Sequence, residues 1–396
     1  MITERKAGFP QSLLLLLGSC LPVLGAVLLA PVLPGMHAHF ADTPGAVVLV
    51  PIALTLPALM IALLAPVAGI IADRLGRKPL LLGAMLLYSV CGVLPIWLDS
   101  LPAIVVSRAG IGLAEAAIMT CCTALMGDYY SGARRERLFA LQMVATSLSA
   151  TLFITVGGVL GESGWRAPFT LYAIGIVLLP LMARWLWEPQ EDPASVDGSR
   201  PAATRFPWRA LAPAYVLSAM AGVSLYVVPV QSGQLLNLLH INSPQQIGLT
   251  MGVNQLGILV GSLSFPLLAR WRPQYLLALA FLLTGAGGWL MAVAPSHAVL
   301  AIAVTINGLG IGLMMPTLLT WIMTQVDFSQ RGYAAGGFTA AFFAGEFVSP
   351  LLVLAIVGGG GVELPTALLA LAAVQLLIAL ACLAVGLKPR RILATD

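Results

Sequence analysis

The chain has 396 residues, of which 59% are hydrophobic and 9% charged, where ordinary soluble domains carry about 25% charge. Twenty Lys and Arg against sixteen Asp and Glu leave a net charge of +4, with a mean hydropathy of +0.95. So few charges cannot cover a soluble surface, which excludes a cytosolic enzyme, a disordered chain and a secreted disulfide scaffold, and leaves a polytopic membrane protein.

A helix needs about 20 mostly apolar residues to cross the hydrocarbon core. Charges and Pro/Gly clusters cut the sequence into twelve such segments, at 11–33, 46–71, 79–98, 101–126, 137–161, 168–187, 209–233, 246–269, 274–294, 298–322, 333–357 and 364–387. None alternates as a barrel strand would, so the expected fold class is an all-α membrane protein with twelve transmembrane helices. The first segment has a second reading: Arg5, Lys6, an apolar run and Leu17-Gly18-Ser19-Cys20 look like a lipoprotein signal with its cleavage box. The uncharged stretch continues to about Leu33, which is spanning length. With the N-terminus in the cytoplasm, every basic residue except Arg108 and Arg166 falls in a tail or loop on that side. That is the positive-inside bias; the basic balance reports topology, and no nucleic-acid partner is expected. An even number of spans returns the C-terminus to the same side.

Between the second and third segments the chain reads Gly69-Ile70-Ile71-Ala72-Asp73-Arg74-Leu75-Gly76-Arg77-Lys78-Pro79. This resembles the signature loop of the major facilitator superfamily, glycine–x–x–x–aspartate–arginine–x–glycine–arginine–lysine, at the place where that family carries it. The resemblance implies two pseudo-symmetric six-helix bundles and transport by alternating access. It also implies that Gly69, Asp73, Arg74, Gly76, Arg77 and Lys78 form a conformational latch, with Asp73 facing the N-terminus of the eleventh helix near Gly332, where the dipole favours an anion. The alternative for Arg74, Arg77 and Lys78 is a plain topology anchor.

In the fourth segment, Arg108-Ala109-Gly110-Ile111-Gly112 resembles the family's helix-4 motif, with Ile111 in place of the usual glutamine. The resemblance links Arg108 to proton coupling. The antiporter motif of the fifth helix is only partly kept: Gly157-Gly158 and Gly164-Trp165-Arg166 are present, but its glycine–proline kink reads Phe153-Ile154.

The polar stretch 188–208 divides six segments from six and is read as a cytoplasmic linker between bundles at 1–187 and 209–396. Gly110-Ile111-Gly112-Leu113 in the fourth segment matches Gly310-Ile311-Gly312-Leu313 in the tenth. Each is followed by an acid, Asp128 or Asp327, and then by Arg137 or Arg331 opening the next helix. The second-half counterpart of the signature loop, Ala269-Arg270-Trp271-Arg272-Pro273-Gln274, has lost the acid and the glycine, so the latch is expected on one side only.

An ionised side chain at mid-bilayer costs at least about 2.5–3.5 kcal/mol, so each one needs a reason. Glu115, Glu346 and Arg108 qualify. Arg108 and Glu115 are seven residues apart, about 10 Å of rise on one helix face, so they could meet through water, clasp a ligand, or form a pair that only fixes packing. One of Glu115 and Glu346 is the candidate proton site and the other a substrate contact, with Arg108 a candidate for both coupling and substrate binding. Gln142, Tyr226, Asn254, Gln255 and Asn307 are further polar candidates for substrate contact, beside the alternative that amides bond neighbouring helices.

His37, His39, His240 and His297 all map to external loops and are read as interfacial residues, with no metal site. All five cysteines fall within segments, so no disulfide is expected. There is no His-Glu-x-x-His and no P-loop sequence, so no enzyme activity and no cofactor are expected. The reading is a secondary transporter, a monomer of the bacterial inner membrane with both termini cytoplasmic, whose partners are lipid, protons and a small molecule. Export by proton antiport is preferred; the alternative is proton-coupled uptake of a small organic anion.

Overall fold

The structure, a computed structural model, describes residues 7–189, 206–327, 330–360 and 362–387. Arg5 and Lys6, most of the linker, and the basic tail with Lys388, Arg390 and Arg391 lie outside the described residues. The helices are α1 (Phe9–Val27), α2 (Leu33–His39), α3 (Ala46–Leu75), α4 (Arg77–Val93), α5 (Leu101–Tyr129), α6 (Gly132–Gly161) and α7 (Ile174–Trp185) in the first half. They are followed by α8 (Trp208–Leu238), α9 (Pro244–Leu268), α10 (Pro273–Ala292), α11 (His297–Met323), α12 (Arg331–Gly360) and α13 (Leu364–Leu387). Among the described residues these make twelve spans long and apolar enough to cross a membrane, and no strand.

Several boundaries differ from the sequence reading. The first span is not one helix over 11–33. It breaks after Val27, passes through a 3₁₀ turn at Ala30–Val32 and resumes as α2, so that Phe9–His39 crosses as one broken unit. Pro31 lies in that turn; it has no N–H to give and its ring disfavours helix before it. His37 and His39 are therefore on a helix rather than in a loop. The signature loop has almost vanished: α3 runs through Asp73 and Arg74, and the turn to α4 is Gly76 alone, at φ +84°, where a side chain would be strained. Helix α6 starts at Gly132, which puts Arg137 in its second turn.

The glycine pairs of the repeat do equivalent work in each half. A Cβ on Gly112 would lie 2.6 Å from the backbone of Pro57 in α3, and one on Gly312 would lie 2.1 Å from the carbonyl of Ile258 in α9. Gly110 abuts Cys91 of α4, as Gly310 abuts the Ala280 carbonyl of α10. Helices 4 and 10 of the twelve thus approach their neighbours by the same small-residue packing that drives helix association where water is absent.

The two halves meet at the end opposite the basic loops. Gly158 of α6 packs on Pro244 and Gly248 of α9, Gly161 packs on Pro244, and Gly233 of α8 packs on Pro34 of α2. The glycine pair Gly157-Gly158, singled out in the sequence, is therefore a contact surface: Gly157 rests on the Leu28 carbonyl of its own half and Gly158 on the other half. Beside it the Glu162 carboxylate accepts hydrogen bonds from the Ser243 hydroxyl at 2.5 Å and from the Gln245 N–H at 3.0 Å, at the N-terminus of α9. At the basic end, the α12 start is open: Arg331, Gly332 and Tyr333 are exposed, and nothing lies within 4 Å of where a Gly332 Cβ would be. Among the described residues, glycine contacts join the halves at the far end, and the start of α12 is exposed at the basic end.

The Ser243 and Gln245 hydrogen bonds hold the Glu162 carboxyl below its ordinary pKa. A lowered value means the clamp is complete at neutral pH and is lost as pH falls below the ordinary carboxylate range. Spin labels on the far ends of α6 and α9 should report a shift towards separation on acidification from about pH 7 to about pH 3, and Glu162→Gln should abolish most of that pH response.

Candidate functional site

The break in α1 creates the site. Where a helix ends, its last carbonyls lose their intrahelical donors, and the α1 terminus lies inside the protein. Arg108 of α5, with no solvent exposure, answers this need. Its Nη2 donates to the Gly25 carbonyl at 2.7 Å, its Nε to the Ala53 carbonyl of α3 at 2.9 Å, and its Nη1 to the Tyr172 hydroxyl at 2.5 Å. A cation at the negative end of a helix dipole is favourable in itself. From the other half, the Tyr226 hydroxyl of α8 donates to the Ala26 carbonyl at 3.1 Å. Adjacent carbonyls at the end of α1 are thus bound by one side chain from each half.

Glu115 lies two turns along α5, buried over Gly25: a Cβ on that glycine would fall 1.6 Å from Glu115 Oε1. Gly25 therefore serves twice, giving its carbonyl to Arg108 and its missing side chain to Glu115. Glu115 Oε1 has no hydrogen-bond partner, and no ion pair joins it to Arg108. The sequence allowed an Arg108–Glu115 pair; each of the three guanidinium nitrogens is instead bonded to a carbonyl or a phenol. The two groups still interact through space.

Glu346 of α12 is 3% exposed, without a hydrogen bond among the described residues. It is placed by backbone contact between α12 and α8, at Gly222 against the Phe342 carbonyl and Glu346 N, and at Gly345 against the Ala219 carbonyl. Glu346 lies within electrostatic range of Glu115 and Tyr226. The structure therefore brings Arg108, Glu115, Tyr226 and Glu346 together from both halves. Tyr172 and Tyr88 complete the group; their rings are 5.2 Å apart, and Tyr88 donates to the Leu21 carbonyl of α1 at 2.8 Å.

The other polar candidates are elsewhere. Asn254 donates to the Val304 carbonyl and Asn307 to the Thr284 carbonyl, both tying helices within the second half. Gln142 donates to Ser19 and Thr123 of its own half, and Gln255 is half-buried without a hydrogen bond. At the basic end, Arg77 pairs with Asp128 and Lys78 donates to the Ala183 carbonyl. Glu188, which the sequence assigned to the linker, caps α4 by accepting the N–H groups of Arg77 and Lys78, each at 2.7 Å. Gly69 has nothing near a would-be Cβ, Arg74 is exposed, and the side chain of Asp73 lies outside the described residues. Among the described residues no cluster of three or more His, Cys, Asp and Glu side chains could hold a metal.

With this geometry in hand, the profile of the Major Facilitator Superfamily matches residues 15–239, more than half of the chain. The chain belongs to that superfamily. The tetracycline resistance protein, class C, of Escherichia coli is 26% identical over 369 residues, covering 87% of this chain and 89% of that protein. The 2-nitroimidazole transporter of Escherichia coli is 28% identical over 72% of each chain, and multidrug resistance protein 1 of Bacillus subtilis is 25% identical over 73% of this chain and 76% of its own. Among solved structures, a peptide transporter bound to sulfate superposes with a TM-score of 0.78 at 16% identity, over 96% of each chain. The D-xylose–proton symporter superposes with a TM-score of 0.74 at 16% identity, over 94% of this chain and 97% of that one. These structures share the fold. The chain is an integral multi-pass membrane protein and a secondary transporter.

Removing the Arg108 donors leaves the buried carbonyls of Gly25 and Ala53 without a partner, at about 1–3 kcal/mol for each unsatisfied group. Arg108→Gln should therefore lower the thermal unfolding midpoint strongly, and Arg108→Lys nearly as much, since a single ammonium cannot reach the carbonyls of Gly25 and Ala53 and the Tyr172 phenol in that fork geometry. Unfolding in detergent at matched pH measures both.

Proposed function

We propose that this transporter exports a small organic compound in exchange for protons, with Glu115 and Glu346 as the proton-carrying pair. The observation that carries the reading is the pair itself: two buried carboxyls, one from each half, neither paired with a cation, at the place where the halves touch. A buried carboxylate without a partner is costly, and either a proton or a cationic ligand atom relieves that cost. Exchange of one for the other is antiport. The drug-resistance and tetracycline-resistance relatives support the export direction and an organic substrate.

Uptake of an organic anion would need Arg108 as a counter-ion. Each of its guanidinium nitrogens is already bonded within the protein, and the residue has no exposed surface, which favours a cationic or neutral substrate. In this reading the units 1–187 and 209–396 rock about the α1 break, as a monomer in the inner membrane with both termini cytoplasmic. The clamp at Glu162 closes the far side, and Gly69, Asp73, Arg74, Gly76, Arg77 and Lys78 close the basic side in the opposite state.

Purified protein in liposomes with an imposed pH gradient, screened with cationic, neutral and anionic compounds, tests this. Glu115→Gln and Glu346→Gln should each reduce gradient-driven flux at least about tenfold, while substrate exchange without a gradient persists. Flux unchanged in both variants refutes proton coupling through these residues, and accumulation of anions along the proton gradient selects uptake instead.

A further inference from the structure

On the outer face of the second half, α10 and α13 leave a cleft of about 880 Å³ between them, near the upper end of the range for small-molecule sites. It is away from the Arg108 group: α10 packs against α11 and α13 of its own half, and the cleft walls carry exposed leucines. The mouth and the walls differ sharply in chemistry. At the basic end the mouth is formed by Arg270, Trp271, Arg272 and Tyr275, and the walls below by a row of leucines that includes Leu282 of α10 and Leu380 of α13.

The mouth is built rather than incidental. Arg272 and Tyr275 both donate to the Gly386 carbonyl, at 3.1 and 2.9 Å, which fastens the α9–α10 turn to the end of α13. The Tyr275 ring lies where a Gly386 side chain would be, with its Cε1 2.8 Å from the would-be Cβ. Arg270 by contrast is exposed and has no hydrogen-bond or ion-pair partner among the described residues. The sequence explains why: this turn is the counterpart of the signature loop and lacks its aspartate, so its arginines have no acid beside them in the turn.

Depth fits as well. From Arg272 to Leu282 the helix rises about 15 Å, half of the roughly 30 Å hydrocarbon core and thus the depth of one leaflet. Trp271 stands at the level where indole rings favour the membrane interface. A site with cations and an indole at headgroup level, and leucines for one leaflet below, matches an amphiphile with an anionic head and extended hydrocarbon chains. We propose that the α10–α13 cleft binds an anionic phospholipid of the leaflet at the basic end, with its phosphate at Arg270 and Arg272 and an acyl chain along Leu282 and Leu380.

Native mass spectrometry of the purified full-length protein with added phosphatidylglycerol, or phosphatidylcholine of the same chains, tests this. The wild type should retain phosphatidylglycerol more tightly. Arg270→Gln should weaken that binding about fivefold, the equivalent of about 1 kcal/mol for one basic residue at the surface, and weaken phosphatidylcholine, whose phosphate is offset by its own ammonium, by less. Leu380→Trp, at a position 62% exposed and so tolerant of a larger side chain, should weaken both lipids by filling the trough, while glycerol phosphate alone should not compete. Equal retention of the two lipids by the wild type, an unchanged affinity in Arg270→Gln, or full competition by glycerol phosphate would each overturn the proposal. The thermal midpoint of each variant, measured in parallel, separates lost binding from lost fold.

Discussion

The constraint on which the rest depends is the interrupted first span. A helix that ends inside a membrane protein leaves carbonyls that no water can reach, and each must find a donor. Here the answer is a guanidinium from α5 at Gly25 and a phenol from α8 at Ala26. Arg108 is tolerated because it satisfies backbone from α1 and α3 together with a tyrosine that precedes α7. The cost of burying one charge is offset by satisfying groups that would otherwise be orphaned. With its donors engaged there, Arg108 leaves Glu115 without a salt bridge, which is the feature on which the proposed proton exchange rests.

Small residues then decide where the halves can touch and where they can part. Gly158 and Gly248 let α6 and α9 meet backbone to backbone at the far end, and Gly222 and Gly345 do the same for α8 and α12 around Glu346. The first contact joins the two halves, whereas the second lies within one half and fixes the backbone that carries Glu346. Contacts between helices in lipid gain little from hydrophobic burial and much from close approach, so a joint of glycines with a single exposed carboxylate clamp is well suited to opening and closing. The basic end is held within the first half by Arg77–Asp128 and by Glu188 on the start of α4.

Much of this was legible in the sequence because membrane chemistry makes exceptions conspicuous. Arg108, Glu115 and Glu346 stood out as charges within apolar segments, and the Gly-Ile-Gly repeats marked matching packing positions. The break at Pro31 was missed because nearby apolar residues kept the segment at spanning length. Gly25 carried no signal, being one of 40 glycines whose role depends on a residue 90 positions away in sequence. Tyr172, Glu188 and Glu162 were missed for the same reason: each acts through a distant backbone or side-chain group, and local pattern does not encode the partner. For Asn254 and Asn307 the sequence left two readings, substrate contact or a bond to a neighbouring helix, and their amides donate to carbonyls of adjacent helices.

The central claim, that the carboxyls of Glu115 and Glu346 exchange protons in the membrane interior, is tested most directly without any substrate. Infrared difference spectra of the reconstituted protein, recorded as pH is raised from about 7, where exposed carboxyls are already ionised, report the C=O stretch of carboxyl groups that are still protonated. The account predicts that the wild type loses such a band, that Glu115→Gln and Glu346→Gln each remove part of it, and that the double variant removes it entirely. A difference spectrum identical in the wild type and the double variant would contradict the account.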